Sequence, residues 1–254
     1  KNKKINKMIN KYFTTTIKPT ILPSIQHAGT FVGGSILFDW TSFQIPKGAS
    51  KLIDVTVLLR GTNGSRQERA IDFYFAKTIN GAAPGSLGTV RATADGNQYQ
   101  NHLLTTATIN AADYRDGLDI MSVASSGGGG GSQQQMAQVI EGEPNSGTNV
   151  GYDTIYVTGI PGNTLDWRST CETNNAAGAQ GTDQAGLIVS TTSALLHFDK
   201  GDIVYDEDDR LIGTVKSVTD ATNIVFEDNL ANASVDNKDL YVYSPITIKL
   251  SFEK

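Results

Sequence analysis

The end of the chain constrains the fold more than any other segment. Residues 246–252, ITIKLSF, alternate strictly between apolar and polar side chains. A period of two predicts a strand with one buried face, so the chain must end inside a sheet. Eight to ten further β-rich runs, separated by turn residues and with almost no helical pattern, precede it. With 26 glycines in 254 residues, the sequence predicts an all-β protein.

The segment just before this strand predicts a small β-barrel. Residues 196–244 contain four short β-rich runs, broken by Asp, Gly and Asn, which indicates a meander of hairpins. Because the final strand has to return to the main sheet, this barrel is expected to be an insertion whose ends, near Leu196 and Pro245, lie close together. The acidic turn Asp206–Asp209 is then expected at its outward-facing tip, where it would meet solvent or a partner.

The main body, residues 26–195 and 245–254, is predicted to be a β-sandwich of jelly-roll type. Its clearest strands are Leu52–Arg60 and Ala70–Lys77, which could pair as a hairpin with a longer loop. The run Gly186–Thr192 is assigned to the sandwich, next to the start of the barrel. The five glycines from Gly127 to Gly131 lack the following Lys and Ser/Thr of a phosphate loop, and are typical of a tether or loop tip.

Residues 1–25 are predicted to form a basic, extended N-terminal arm or an edge strand. The first eleven residues contain five lysines and no acid, although the whole chain has a net charge of −5. Such an arm could be solvated, could dock on an acidic neighbour, or could touch nucleic acid. Nucleic acid is disfavoured because the arm lacks arginine and the body is acidic. The candidate partner-binding residues of the arm are Lys1, Lys3, Lys4, Lys7, Lys11, Tyr12 and Phe13.

The two tryptophans have different sequence surroundings. Trp40 lies in a predicted strand and is expected in the core. Trp167 lies in the polar run Asn163–Arg168, so it is predicted to be an exposed anchor for a partner or a sugar ring. It completes the set of candidate partner-binding residues.

No arrangement of residues predicts catalysis. His27, His102 and His197 are far apart, and no zinc-type ligand spacing or Gly-x-Ser-x-Gly elbow is present. The lone Cys171 is expected to be a small buried residue. The acidic turn departs from the calcium-loop spacing, which favours a solvated hairpin over a calcium site. The sequence therefore predicts no enzyme, no cofactor and no metal, and neither a membrane span nor a secretion signal.

A family resemblance rests on two stretches. The C-terminal module, with Lys200-Gly201-Asp202, Val204 and Gly213-Thr214-Val215, resembles the small SH3-like barrel of tailed-phage virion proteins, especially those of marine T4-like cyanophages. Residues 33–48 resemble the opening of jelly-roll virion proteins from the same phages. Together they span about half of the chain. The resemblance implies a capsid, neck or tail protein, often trimeric, without catalytic residues.

The expected function is that of a structural virion protein, most simply a capsid decoration protein. It would be assembled in the host cytoplasm and would bind the outer surface of the capsid, with the major capsid protein or other virion proteins as partners, and would form a homo-oligomer, with a trimer favoured. Neither nucleic acid nor membrane is expected as a partner. The alternatives are a glycan-binding or host-attachment module of the neck or tail, and a polysaccharide-cleaving enzyme on a β scaffold.

Overall fold

A computed structural model of the protein describes residues 11–62, 65–94, 100–115, 120–126, 138–143, 151–173, 180–189 and 194–254. Two sequence predictions fall outside these residues: the lysines before Lys11, and the glycine run 127–131. The described chain is nearly all β, as predicted. No helix among the described residues has the length and apolarity needed to cross a membrane.

Besides two 3-10 turns at Ala111–Asp113 and Ala194–Leu196, the described residues form fifteen strands and one short α-helix. They are β1 (Tyr12–Ile17), α1 (Pro23–His27), β2 (Phe38–Pro46), β3 (Ser50–Arg60), β4 (Ile71–Lys77), β5 (Leu103–Ile109), β6 (Tyr114–Arg115), β7 (Met121–Ser125), β8 (Gln138–Ile140), β9 (Tyr152–Pro161), β10 (Gly186–Ile188), β11 (Ile203–Asp206), β12 (Leu211–Val218), β13 (Asn223–Phe226), β14 (Leu240–Val242) and β15 (Ile246–Glu253).

Two antiparallel sheets form a sandwich around the larger core. One sheet has the order β1-β15-β3-β7-β6, with β8 also paired to β3, and the other has the order β2-β9-β4-β5. Phe43 of β2 and Phe252 of β15 meet between the sheets, with ring centroids 6.4 Å apart. The β-sandwich is therefore present, while its jelly-roll topology stays a prediction.

The last strand behaves as its alternation predicts. β15 lies between β1 and β3, and its four apolar side chains are fully buried.

The expected hairpin of the strands now called β3 and β4 is wrong, because β4 pairs with β5 and β9 in the opposite sheet. Gly61 follows β3 where the chain leaves the sheet. A side chain there would collide with the carbonyl oxygens of Ser65 and Ile120, so the crossing requires glycine.

The second core belongs to a separate five-stranded antiparallel sheet with the order β10-β13-β12-β11-β14. This sheet and its core, within residues 171–243, are called the small β unit. All four predicted hairpin strands are present, but β10 also belongs here, because it pairs with β13 and not with the sandwich. Trp167 packs in the sandwich core and Cys171 in the second core, so the chain crosses well before the expected boundary at residue 196.

The N-terminal segment is part of the fold from Tyr12 onward, and so only the residues before it can be an arm. β1 is an edge strand paired with β15, which was one of the two predicted alternatives. Phe13 stacks on Phe252 at a centroid distance of 4.9 Å. After Ile17 the chain turns towards the small β unit, and α1, begun by Pro23, contacts β14 and β11.

Candidate functional site

Arg60, at the end of β3, joins the sandwich to the small β unit. Its backbone N–H donates to Pro245 O, and its guanidinium donates to His197 O. Arg60 therefore bridges the two segments that the sequence predicted as the barrel ends, although residue 196 lies inside the small β unit. The guanidinium is 9% exposed and pairs with Asp202, with Nη2 at 2.7 Å from Oδ2. Burial raises the pKa of Asp202 even though Arg60 acts to lower it.

The predicted exposed anchor Trp167 is buried. Its side chain is 3% exposed, packs edge-to-face on Phe31, and donates its indole N–H to Arg60 O at 2.8 Å. Its neighbours Asn163, Thr164 and Arg168 are exposed, which is why the local sequence resembled a surface loop. Trp40 is also corrected, because it is half-buried and donates to Gly85 O at the surface.

A narrow cleft lies between the two units. Arg60, Trp167 and His197 line it, together with Tyr241 and Gln26. It has space for little more than a water molecule, which is too small for a sugar ring or a nucleotide. This cleft is therefore a packed junction, and it offers no substrate pocket.

α1 fastens the small β unit from the other side. The amide of Gln26 donates to Ile21 O at 2.7 Å and to Val242 O at 2.9 Å. Ser24 donates its hydroxyl to Asp209 Oδ2 at 2.6 Å and its backbone N–H to Asp209 Oδ1 at 2.9 Å. These bonds link the segment after β1 to both β14 and the turn between β11 and β12.

The acidic turn is consequently not a free, solvent-facing tip. Asp206 is 1% exposed and forms an ion pair with Arg210, while its carboxylate also accepts the backbone N–H groups of Asp208 and Arg210. Asp209 adopts φ 64°, a left-handed conformation that aspartate tolerates in turns. The carboxylates close the hairpin, as the predicted hairpin requires, but one of them also docks on α1.

Next to this turn, three titratable side chains from distant segments converge. His27 Nδ1 lies 3.4 Å from Asp239 Oδ2 and 3.6 Å from Glu207 Oε2. It also lies 3.1 Å from the hydroxyl oxygen of Tyr241. Glu207 is held by Lys238, whose Nζ is 2.7 Å from Oε1, and by the backbone N–H of Asp239. We call His27, Glu207 and Asp239 the junction triad.

The electrostatics of the triad are dominated by carboxylates. Burial, followed by the nearby charges of Glu172 and Glu207, raises the pKa of Asp239 to about 6. Asp239 Oδ1 is buried and no described donor reaches it. Burial acts against ionisation of Glu207 as well, but the bonds from Lys238 and from the Asp239 N–H leave the pKa of Glu207 below its usual value.

The other candidate chemical groups are structural. Cys171 is fully buried, as expected, and burial raises the pKa of its thiol to about 12. A thiol with so high a pKa is a poor nucleophile. His102 Nδ1 lies 2.8 Å from Lys77 O, and His197 is buried at the junction. The three histidines share no site.

The opposite end of the sandwich is rich in lysine. Tyr12, Glu253, Lys51 and Val139 are directly paired across β1, β15, β3 and β8, so their side chains lie on one face of the sheet. Tyr12 is 59% and Val139 65% exposed. The nearby cations are Lys11, which pairs with Glu253 at 2.5 Å, and Lys254, which donates to Lys47 O.

We call this surface the basic end and define it by its exposed residues: Lys11, Tyr12, Lys47, Lys51, Val139, Tyr152 and Lys254. Tyr152 belongs to it because it pairs with Pro46, beside Lys47. Lys11, the first described residue, belongs to this surface. The small β unit has the opposite charge, with eleven acidic and four basic residues between positions 196 and 244.

Sequence reasoning missed the junction triad and found part of the basic end. His27 is separated from Glu207 by 180 positions and from Asp239 by 212, and no local spacing reports such a contact. The lysines near the N-terminus were visible as a charge run. Lys51 lies near Lys11 because of the strand register, and Lys254 connects Lys11 and Lys47 by donating to the backbone oxygens of both.

Comparisons with known proteins give no identity. No protein-family model matches the chain, and no curated protein matches it. One solved structure that it matches is a complex of an Aeromonas sobria serine protease with the chaperone ORF2. The match has 9% sequence identity and a TM-score of 0.20, and it covers 96% of this chain and 27% of the other. A TM-score this low indicates no common fold.

Proposed function

We propose that this chain is a structural protein of a larger assembly and that its basic end docks on an acidic surface of a neighbouring subunit. In the form that the sequence resemblance favours, it is a decoration protein on the outer capsid of a tailed phage. Its partner is then the major capsid protein, it acts as a homo-oligomer, with a trimer favoured, and it is not an enzyme.

The observation that supports this proposal is the composition of the basic end. Exposed aromatic and aliphatic side chains on a sheet face, with lysines around them, are typical of protein–protein contacts. Four further lysines precede Lys11 in the sequence, outside the described residues. Clustered positive charge favours an acidic protein partner and accelerates its association. The chain as a whole has a net charge of −5, so a surface rich in lysine differs from the rest of the protein.

The unpaired edge of β1 adds a second means of contact. β1 pairs with β15 on one side, and no described strand pairs with its other side. An edge strand offers free N–H and C=O groups that a partner strand can bind. Tyr12 begins this edge and also belongs to the basic end, so side-chain and main-chain contacts could be made to one neighbour.

The glycan-binding alternative loses its main support. Its anchor was Trp167, which is buried and bonded to Arg60 O. The junction cleft is too small for a sugar ring. The enzyme alternative has little support as well, since the one thiol is buried with a raised pKa.

The test uses particles assembled with variant chains, with protein occupancy measured by quantitative mass spectrometry. Deletion of residues 1–10 and the substitution Lys51→Glu are both expected to lower occupancy, and the remaining binding should weaken with added salt. Lys216→Glu is the matched control, because Lys216 is exposed on the small β unit and the charge change is the same. Full occupancy in both basic-end variants would rule out docking through this surface.

A second measurement separates self-association from docking. Light scattering of the purified chain at low and high salt reports its oligomeric state. An oligomer that Lys51→Glu dissociates would identify a second copy, through its acidic small β unit, as the occupant of the basic end. A chain absent from purified particles would contradict the virion form of the proposal.

A further inference from the structure

The junction triad has the spacing of ligands around one metal ion. In a tetrahedral site with metal–ligand bonds of about 2.0–2.1 Å, neighbouring ligand atoms are about 3.4 Å apart. His27 Nδ1 is 3.4 Å from one carboxylate oxygen of the triad and 3.6 Å from the other. All three ligand atoms lie within 4.8 Å of one another. A single cation between them could contact all three with only small side-chain movements.

The second observation concerns Asp239. Its Oδ1 is buried without a described donor, although buried carboxylate oxygens are normally satisfied. Glu172 pairs with Asp239 across an isolated bridge and adds another negative charge. A cation among the three side chains would offset the negative charge at Asp239 and reduce the repulsion among the three acids.

The surroundings of the triad hold it in a ligating arrangement. Lys238 binds Oε1 of Glu207 and the backbone N–H of Asp239 binds Oε2, so the carboxylate has a fixed orientation. Such bonds to metal ligands typically strengthen metal binding. His27 is 46% exposed, which gives a cation a path from solvent and leaves room for a water ligand.

We propose that His27, Glu207 and Asp239 bind one divalent transition-metal cation of the zinc class, which ties α1 to the small β unit. An imidazole with two carboxylates suits Zn²⁺ better than Ca²⁺, which takes six to eight oxygen ligands. Three protein ligands leave the fourth position to water. Because α1 follows β1 directly, the ion links the edge of the sandwich to the turn between β11 and β12. This site is independent of docking through the basic end.

The test is calorimetric titration of the full chain with ZnCl₂ at pH 7.5, in a buffer without chelating components and without a histidine tag. One equivalent is expected to bind and to be removed by EDTA. At a free Zn²⁺ concentration of about 100 times Kd, the melting temperature should rise by about 5–10 °C. His27→Gln and Asp239→Asn should each weaken binding by about tenfold or more.

Two controls make the result specific. Asp208→Asn removes a neighbouring acid that contacts Lys238 but does not belong to the triad. His102→Gln removes a distant histidine. Both should bind Zn²⁺ like the original chain. Absence of saturable binding, or an affinity that His27→Gln leaves unchanged, would overturn the proposal and leave His27 as a polar neighbour of the two carboxylates. Since His27 is a surface residue, its variant can be tested even if Asp239→Asn folds poorly.

Discussion

The sandwich and the small β unit are stabilised in different ways. The sandwich buries a large core between two sheets, and Phe252 contacts Phe13 and Phe43 within it. The small β unit has a much smaller core and is fastened to the sandwich by polar contacts at Arg60, Gln26 and Ser24. Small domains bury a lower fraction of their surface and depend more on such additional contacts. The comparison indicates that the contacts at the junction help to stabilise the small β unit.

The largest expected effect is that of Phe252→Ala in the sandwich core. Removing this buried ring should lower the free energy of unfolding by about 3–5 kcal/mol, through lost burial and the cavity left behind. Urea denaturation followed by circular dichroism measures the loss. Thr14→Ala, at an exposed position of β1, is the control and should stay within about 0.5 kcal/mol.

The matched variant in the small β unit is Phe226→Ala. Phe226 is 1% exposed and packs against Gly213, so the local loss should be similar. In this variant the small β unit should unfold first, and the part of the circular dichroism change that comes from the sandwich should stay at its original urea concentration. Simultaneous loss of both units in Phe226→Ala would contradict the division into two cores.

Arg60→Met should have the next largest effect, about 3 kcal/mol, because it leaves the Asp202 carboxylate without its partner in the junction. Differential scanning calorimetry should resolve an early transition of the small β unit. The double variant Arg60→Met/Asp202→Leu removes both charges and should recover most of the loss. If the double variant is as unstable as the single one, the junction depends on the packing of Arg60 and not on the ion pair.

The defect of Arg60→Met should depend on pH. The pKa of Asp202 is already raised by burial, so its contribution to stability is present below its ordinary pKa and is lost as the pH rises through the folded value. Removing Arg60 raises that folded value further. The loss of unfolding free energy caused by Arg60→Met is therefore expected to be smaller at pH 4 than at pH 7. Denaturation curves of both chains at the two pH values measure it. An equal defect at the two pH values would exclude Asp202 as the responsible group.

Ser24→Ala should have a smaller effect, about 1 kcal/mol, since it removes one charge-assisted hydrogen bond to Asp209 in a partly buried contact. Hydrogen exchange should increase in α1 and in the turn between β11 and β12, and not in β3. Ser24→Thr, which retains the hydroxyl, is the control. Faster exchange throughout the sandwich would show that α1 supports both units.

Glu253→Gln should have the smallest effect, because the ion pair with Lys11 lies at the surface. The hydrogen bond from Lys11 holds the pKa of Glu253 below its usual 4.5. The ion pair therefore stabilises the folded protein at pH values above 4.5. The difference in stability between Glu253→Gln and the original chain should vanish as the pH falls below the pKa that Glu253 has in the folded state. Melting temperatures across pH 3–7 measure it. A difference that grows at low pH would contradict this assignment.

The sequence predicted strands better than their partners. The alternation in β15 identified its buried face, and the runs of the small β unit gave four of its five strands. Pairing depends on contacts between distant residues, so β10 was assigned to the wrong unit and β3 and β4 to a false hairpin. Trp167 was misjudged because its neighbours Asn163, Thr164 and Arg168 are exposed, while its own ring packs in the sandwich core. The same limit applies to His27, whose carboxylate partners are contributed by the other unit.

The link from β14 to β15 has a mechanical consequence. The small β unit returns to the sandwich through residues 243–245, and the next residue, Ile246, is the first of β15. A pull on the small β unit is therefore transmitted along a strand that is hydrogen-bonded to β1 on one side and β3 on the other. The load is shared by two ladders in shear, so many bonds must break together before the end of the chain is extracted.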